Sequence, residues 1–175
     1  MSAGLTGSYR LSPPGWAETF LSSCGASVAR VIAVCKSDTR GVSKQLVDEG
    51  VLSKDYGLVG DAHADCSTHR QVSLLAAESI NRMRDTGVDV GPGDFAENLT
   101  TEGIDLVALP VGAHICVGKD IVLELTQIGK ECHSGCAIFR KVGKCIMPKE
   151  GVFTRVVRGG TVREGDAIWV RGPYK

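Results

Sequence analysis

No apolar run in this 175-residue chain approaches the ~18 residues of a membrane-spanning helix, so no transmembrane segment is expected. Neither sign of charge dominates, because 20 Lys and Arg face 20 Asp and Glu. A general nucleic-acid binder would carry a basic excess, so that class is set aside. Aromatic residues are scarce at 5%, whereas Gly numbers 22, which suits a turn-rich β protein more than a helical bundle. The N-terminal stretch lacks the basic start and apolar run of a signal peptide. Flavin and nicotinamide motifs are also lacking, so electrons for any redox step would come from elsewhere. Cysteine is not scarce, but its count of seven is odd, so at least one thiol is free or shared between chains. A chain of this length does not need disulfide staples. The cysteines are therefore read as thiols in a reducing, cytoplasmic compartment. Hydrophobic residues reach 43%, enough for a real core, which excludes wholesale disorder.

Residues 1–27 differ from the rest. They carry Ser, Gly and the Pro13-Pro14 pair without apolar periodicity, and are expected to form an extension dispensable for folding. The folded body is expected over 28–175. Its punctuation is that of strands. Val28 to Cys35 is short and β-branched, Arg70 to Leu74 follows, and Val152 to Val157 and Ala167 to Val170 complete the set. His114 to Val117 and Ile121 to Thr126 alternate around Gly118-Lys119-Asp120, which predicts a hairpin. Gly112 and Gly165 sit in turns that each launch a strand. One helix is predicted over about 74–85, with Ser73 as its cap, Ala76, Ile80 and Met83 on one face, and Thr86-Gly87 as its end. A second short helix is predicted over 134–142. Many short strands with a few helices point to a mainly β fold, a closed or distorted β-barrel with helices packed outside.

Three clusters can carry chemistry. The densest is Gly129-Lys130-Glu131-Cys132-His133-Ser134-Gly135-Cys136. A thiol before a helix sees the positive end of the dipole, which favours thiolate. Lys130, Arg140, Lys141, Lys144 and Lys149 face Glu131 alone over 130–149, and this basic stretch suits an anionic ligand such as a phosphate. Two other readings stay open. Cys132 and Cys136 can be small core residues. Alternatively Cys132, His133, Cys136 and Cys145 can hold a structural zinc, although the tight pair has three residues between and Cys145 has no close partner. The second cluster is Gly60-Asp61-Ala62-His63-Ala64-Asp65, continuing to His69-Arg70-Gln71. The third runs from Gly91-Pro92-Gly93-Asp94-Phe95-Ala96 through Glu97-Asn98-Leu99-Thr100-Thr101-Glu102-Gly103, where Glu97, Asn98 and Thr100 are more polar than a plain strand requires.

Together these segments resemble the MOSC domain, named for its likeness to the C-terminal domain of molybdenum-cofactor sulfurase. The chain has Gly57-Leu58-Val59-Gly60-Asp61-Ala62-His63, then Arg70-Gln71-Val72-Ser73-Leu74, then the 93–100 segment, then Thr126-Gln127-Ile128-Gly129-Lys130-Glu131-Cys132. They follow the family's order, and small stand-alone members are the most similar in length. One departure is Glu131, where the family often has Pro. An acid at that place raises a neighbouring thiol's pKa.

The resemblance implies an open or distorted β-barrel like that of the pyruvate kinase barrel domain, with flanking helices. It implies that Cys132 carries a sulfane sulfur or ligates molybdenum of the pterin cofactor. Asp61, His63, Arg70, Glu97, Asn98, Thr100, Lys130, Arg140 and Lys141 then become the expected cofactor-binding residues. The expected function is sulfur transfer or cofactor maturation with the molybdenum cofactor. The alternatives are a zinc-stabilised or cofactor-chaperone module without catalysis, and a molybdenum-dependent reductase of N-hydroxylated compounds. No pyridoxal-phosphate domain fits beside this barrel in 175 residues. Sulfur or loaded cofactor is therefore expected from a partner, a sulfur donor or cofactor-biosynthesis protein, with a molybdoenzyme as possible acceptor. Neither nucleic acid nor membrane is expected as a partner.

Overall fold

The computed structural model describes residues 29–131, 139–140 and 143–171. The extension at 1–27, the helix expected over most of 134–142, and Cys132 and Lys141 lie outside the described residues.

The fold is mainly β with few helices. In chain order the elements are β1 (Arg30–Lys36), β2 (Gln45–Val47), β3 (Glu49–Ser53), β4 (Gly57–Leu58), β5 (Val72–Ala76), α1 (Ala77–Asp85) and β6 (Leu99–Glu102). They continue with β7 (His114–Val117), β8 (Ile121–Ile128), α2 (Met147–Glu150), β9 (Val152–Arg158), β10 (Gly160–Arg163) and β11 (Ile168–Arg171). One sheet runs β11-β7-β8-β9-β5-β6-β1-β2, and a smaller one runs β10-β3-β4. Among the described strands only the β5–β6 pairing is parallel, and α1 makes that crossover.

Alternation builds the expected hairpin. Ile115 and Val117 on β7 and Ile121, Leu123 and Leu125 on β8 all point into the main core. Gly118 has φ 57° at the turn between them. On β1 the inward residues are Val31 and Val34, three apart rather than two. A register shift between Val31 and Ala33 against β6 resets the parity, as a β-bulge does. β5 is buried on both faces. Leu74 joins the main core, and Leu75 joins a second cluster with Ile80 and Met83 of α1, Phe95, Met147 and Phe153.

One expectation is met in part and one is corrected. The fold is mainly β, but the named strands of the large sheet do not pair into a closed barrel; an isolated antiparallel bridge, Arg30 with Ala167, joins the start of β1 to the residue before β11. β2 is only three residues long and runs directly into β3, which pairs with β10 instead. The closest approach to closure is the turn before β11, where Val31 N–H donates to Asp166 O and Ile168 N–H to Ala29 O. Ser73 does not cap the helix. It lies in β5, and α1 starts at Ala77 without a side-chain cap. The C-terminal end is as expected, with Thr86 and Gly87 donating to Met83 O and Arg84 O. Among the described residues no helix is long and apolar enough to cross a membrane.

Candidate functional site

A pocket of about 350 Å³ opens where β5, the segment before β6, the end of β8 and the start of β9 meet the loop 59–71. That volume lies in the range of small-molecule sites. His63, Arg70, Asn98 and Lys130 line it, four of the residues expected from sequence.

Asp61 shapes the loop from behind. Its buried carboxylate accepts from Lys44 Nζ at 2.9 Å, His63 N–H at 3.0 Å and Ser37 N–H at 3.1 Å. His63 Nδ1 stands 3.4 Å from Asp61 Oδ1 and its side chain is 40% exposed. Burial pushes the Asp61 carboxyl up, but hydrogen bonds from His63 and the Lys44 ammonium outweigh it and hold the group well below the usual range. Burial pulls Lys44 down and Asp61 pulls it back up. Further along, Thr68 Oγ1 accepts from Arg70 N–H at 3.2 Å, and Asp65 Oδ1 accepts from Ser67 N–H and hydroxyl at 2.8 and 2.7 Å. The loop is thus held by its own short polar side chains.

Asn98 is 1% exposed and joins three strands. Its Oδ1 accepts from Ser73 N–H and Oγ, both at 3.1 Å, and its Nδ2 donates to Cys35 O at 3.2 Å. Ser73, expected as a cap, instead lines the pocket. Ala96, also in the lining, has φ 64°, a conformation that non-glycine residues rarely adopt. This turn sends Glu97 inward. Glu97 is fully buried, accepts from Gly93 N–H at 2.7 Å and Thr100 Oγ1 at 2.9 Å, and burial pushes its carboxyl up.

The expected residues thus divide. Asp61, Glu97 and Thr100 lie behind the wall, buried. Arg140 is exposed and does not line the pocket. Cys132 and Lys141 are outside the described residues, as are His133 and Cys136 of the zinc reading. Among the described residues no cluster of three His, Cys, Asp or Glu is placed to hold a metal. Sequence reasoning missed Arg40, Thr68, Met147 and Phe153, and placed Asp65 in a cluster without giving it a role. Asp65 closes the Gly60-Asp61-Ala62-His63-Ala64-Asp65 segment, but Arg40 carries no local signal.

The pocket is cationic for a structural reason. Elsewhere Arg30, Arg82, Arg155, Arg158 and Arg163 each hold a carboxylate at 2.6–2.9 Å. The Arg70 side chain has no such partner among the described residues, and Arg40 gives only its Nε–H, to Ala62 O at 2.8 Å. Lys130 Nζ lies 5.7 Å from the Phe153 ring centroid, a cation–π contact. With Asp65 as the one carboxylate of the lining, close enough to feel the Arg40 charge, the three cations leave a net positive cavity.

A match to the MOSC domain family spans residues 60–169 and so includes most of this wall. The chain belongs to the MOSC domain family. That family is related to molybdenum-cofactor-binding proteins. The fold is similar to solved structures that include the YuaD and YiiM proteins. With the YuaD protein of Bacillus subtilis the TM-score is 0.64 at 20% identity, over 85% of this chain and 98% of that one. With YiiM from Geobacillus stearothermophilus it is 0.61 at 16% identity, over 82% and 75%. With YiiM from Escherichia coli it is 0.59 at 19% identity, over 83% and 71%. Among curated protein sequences no match was found. Arg40 and Lys44 lie outside the segment that matches the MOSC family.

Proposed function

We propose that this MOSC protein binds the phosphorylated pterin of the molybdenum cofactor, or a precursor, in the pocket and handles sulfur or metal through Cys132. The observation that carries the reading is the net cationic lining, Arg40, Arg70 and Lys130 against Asp65, around about 350 Å³. The lining fits the group. Guanidinium and ammonium match a phosphate, while Asn98, Ser73 and Thr68 offer the neutral donors and acceptors that a pterin edge needs.

In this reading Arg70 and Lys130 hold the phosphate, Asn98 and Ser73 orient the ring, and Met147 and Phe153 exclude water from one side. Cys132 follows Lys130 by two residues, a chain reach of at most about 7 Å. The cofactor when bound supplies a metal centre for two-electron and sulfur chemistry. Cys132 supplies a thiolate, and His63 sits where a proton can be exchanged with the ligand. Sulfur or loaded cofactor then comes from a partner protein, a sulfur donor or cofactor-biosynthesis enzyme, and passes to a molybdoenzyme acceptor.

The test is protein purified from a host that makes the molybdenum cofactor. Molybdenum by mass spectrometry, a pterin absorbance or fluorescence after oxidation, or a cyanide-labile sulfur is the expected result. Cys132→Ser should lose the sulfur or the metal, and Arg70→Gln should lower pterin retention. Stoichiometric zinc without pterin would replace this reading with that of a structural metal.

A further inference from the structure

We propose that Arg40 is a specificity-determining residue of the pocket, gripping an anionic group on the outer part of the ligand. The site then selects a ligand with oxyanion charge at two places over one with charge at a single place. This rests on the anion-binding reading above and names the ligand class more closely.

The segment 37–44 that carries Arg40 is fastened at both roots. Ser37 O accepts from Ala62 N–H at 2.7 Å, and Ser37 N–H donates to Asp61 Oδ2 at 3.1 Å. At the other root Lys44 N–H donates to Gly93 O at 2.8 Å, and Lys44 Nζ is paired with Asp61. The tip, 38–41, is exposed, and the Arg40 bond to Ala62 O is what ties it to the loop 59–71.

That bond uses one of the five guanidinium N–H groups and fixes the plane of the fork. Both Nη atoms are without a protein acceptor among the described residues, and the side chain lines the cavity. Asp65, the carboxylate of the lining, receives two bonds from Ser67 at Oδ1 and feels the Arg40 charge without a direct bond to the guanidinium. Three cations therefore face one engaged carboxylate. They stand at different depths. Lys130 is half-buried on Phe153, whereas Arg40 and Arg70 are exposed at the mouth. Three chain segments, 37–44, 59–71 and 128–130, each bring one cation. A single tetrahedral anion held by Lys130 and Arg70 leaves the Arg40 fork for a second oxyanion further out.

The experiment uses the full chain with inorganic pyrophosphate and inorganic phosphate as probes, titrated calorimetrically at constant ionic strength. The wild type should bind pyrophosphate more tightly than phosphate. Arg40→Gln should weaken pyrophosphate about tenfold, or ~1.4 kcal/mol, the size of one charge-assisted hydrogen bond, and phosphate less than about twofold. Arg40→Lys keeps the charge without the fork and should stay closer to Gln than to wild type. A wild type that binds pyrophosphate no better than phosphate, or an equal loss of both anions in Arg40→Gln, overturns the proposal. A second readout needs no variant. Trypsin should cut after the exposed Arg40, and pyrophosphate should shield that bond. Cleavage unaffected by pyrophosphate also overturns it. Purified protein without molybdenum or pterin would sink the cofactor reading and leave these anion measurements standing. Pterin retained without anion selectivity would sink only the role of Arg40.

Discussion

Lys44 Nζ and Asp61 Oδ2 are 2.8 Å apart, and each side chain is 1% exposed. The pair joins the β1–β2 connection to the loop that carries His63 and Arg70. Its carboxylate also receives the N–H groups of Ser37 and His63. Sealed from water, the pair sets the position of the pocket wall rather than contacting a ligand.

Breaking that pair from one side should be costly. Lys44→Met leaves a buried carboxylate without its cation, and Asp61→Asn leaves a buried ammonium without its anion. Each should lose about 3–5 kcal/mol in urea unfolding. The double variant Lys44→Met/Asp61→Leu should recover part of this, because no unpaired charge remains. Additive losses in the double-mutant cycle would show that the two residues do not act as a pair.

The two buried carboxyls should give opposite pH dependence. Asp61 titrates lower in the folded state than the ~3.9 of an unfolded chain, so its contribution is present above about pH 4. It is lost as pH falls from there towards the folded value. Glu97 titrates higher when folded, so its contribution is present below about pH 4.3 and is lost as pH rises through the folded value. Glu97→Gln keeps an acceptor for Gly93 and Thr100, and should gain stability relative to wild type between pH 5 and 8. Asp61→Asn should flatten the acid limb below pH 4. Urea midpoints from pH 3 to 8 check both.

The thiols should separate by exposure. Burial pushes Cys35 up to about 12, aided by Glu97, and burial raises Cys116 as well. Both should resist iodoacetamide at pH 7.5, because thiolate is the reacting form. Cys66 is exposed on the pocket loop and should label fastest among the described thiols. Cys132 is expected to react faster still, since Lys130 and His133 flank it in the sequence. Pulsed labelling with peptide mapping gives the order, and Cys66 ahead of Cys132 would remove the case for a specially activated Cys132.

Two glycines should respond differently to alanine. Gly41 has φ 78° with open space around it, so Gly41→Ala should cost only the left-handed strain, about 1 kcal/mol. Gly93 has φ 86°, and a Cβ there meets the Lys44 carbonyl oxygen and comes within 3.3 Å of Cys35 Sγ. Gly93→Ala should cost more than about 3 kcal/mol and displace the root of the Arg40 segment. Thermal unfolding of both variants measures the difference.

Local pattern determined much of this protein. The alternation of 114–126 and the turn at Gly118 specify the β7–β8 hairpin, because the pleat alternates residue by residue and needs nothing distant. Thr86-Gly87 ends α1 for an equally local reason. The motif segments named His63, Arg70, Asn98 and Lys130, and these do meet around one cavity. The start of α1 was not legible. Ser73 has the chemistry of a cap, worth about 1 kcal/mol. The ladder of β5 with β6 and β9, however, claims 72–76 for a strand. Closure of the sheet was not legible either, since it depends on how far β1 pairs with residues 166–168, more than 130 positions away in the sequence.

Within the site, sequence set the residue types and tertiary structure chose their directions. Glu97 and Asn98 are neighbours and equally polar on paper. The positive φ of Ala96 and the register of β6 turn one behind the wall and leave the other in it. Asp61 looked like a ligand-binding acid until Lys44, 17 residues earlier, was placed against it. Arg40 was invisible because no short-range pattern marks a side chain whose partner is a carbonyl 22 residues on. Which side chain faces a cavity follows from pleat, bulge and strand register, and these are decided by long-range pairing, not by any residue's own chemistry.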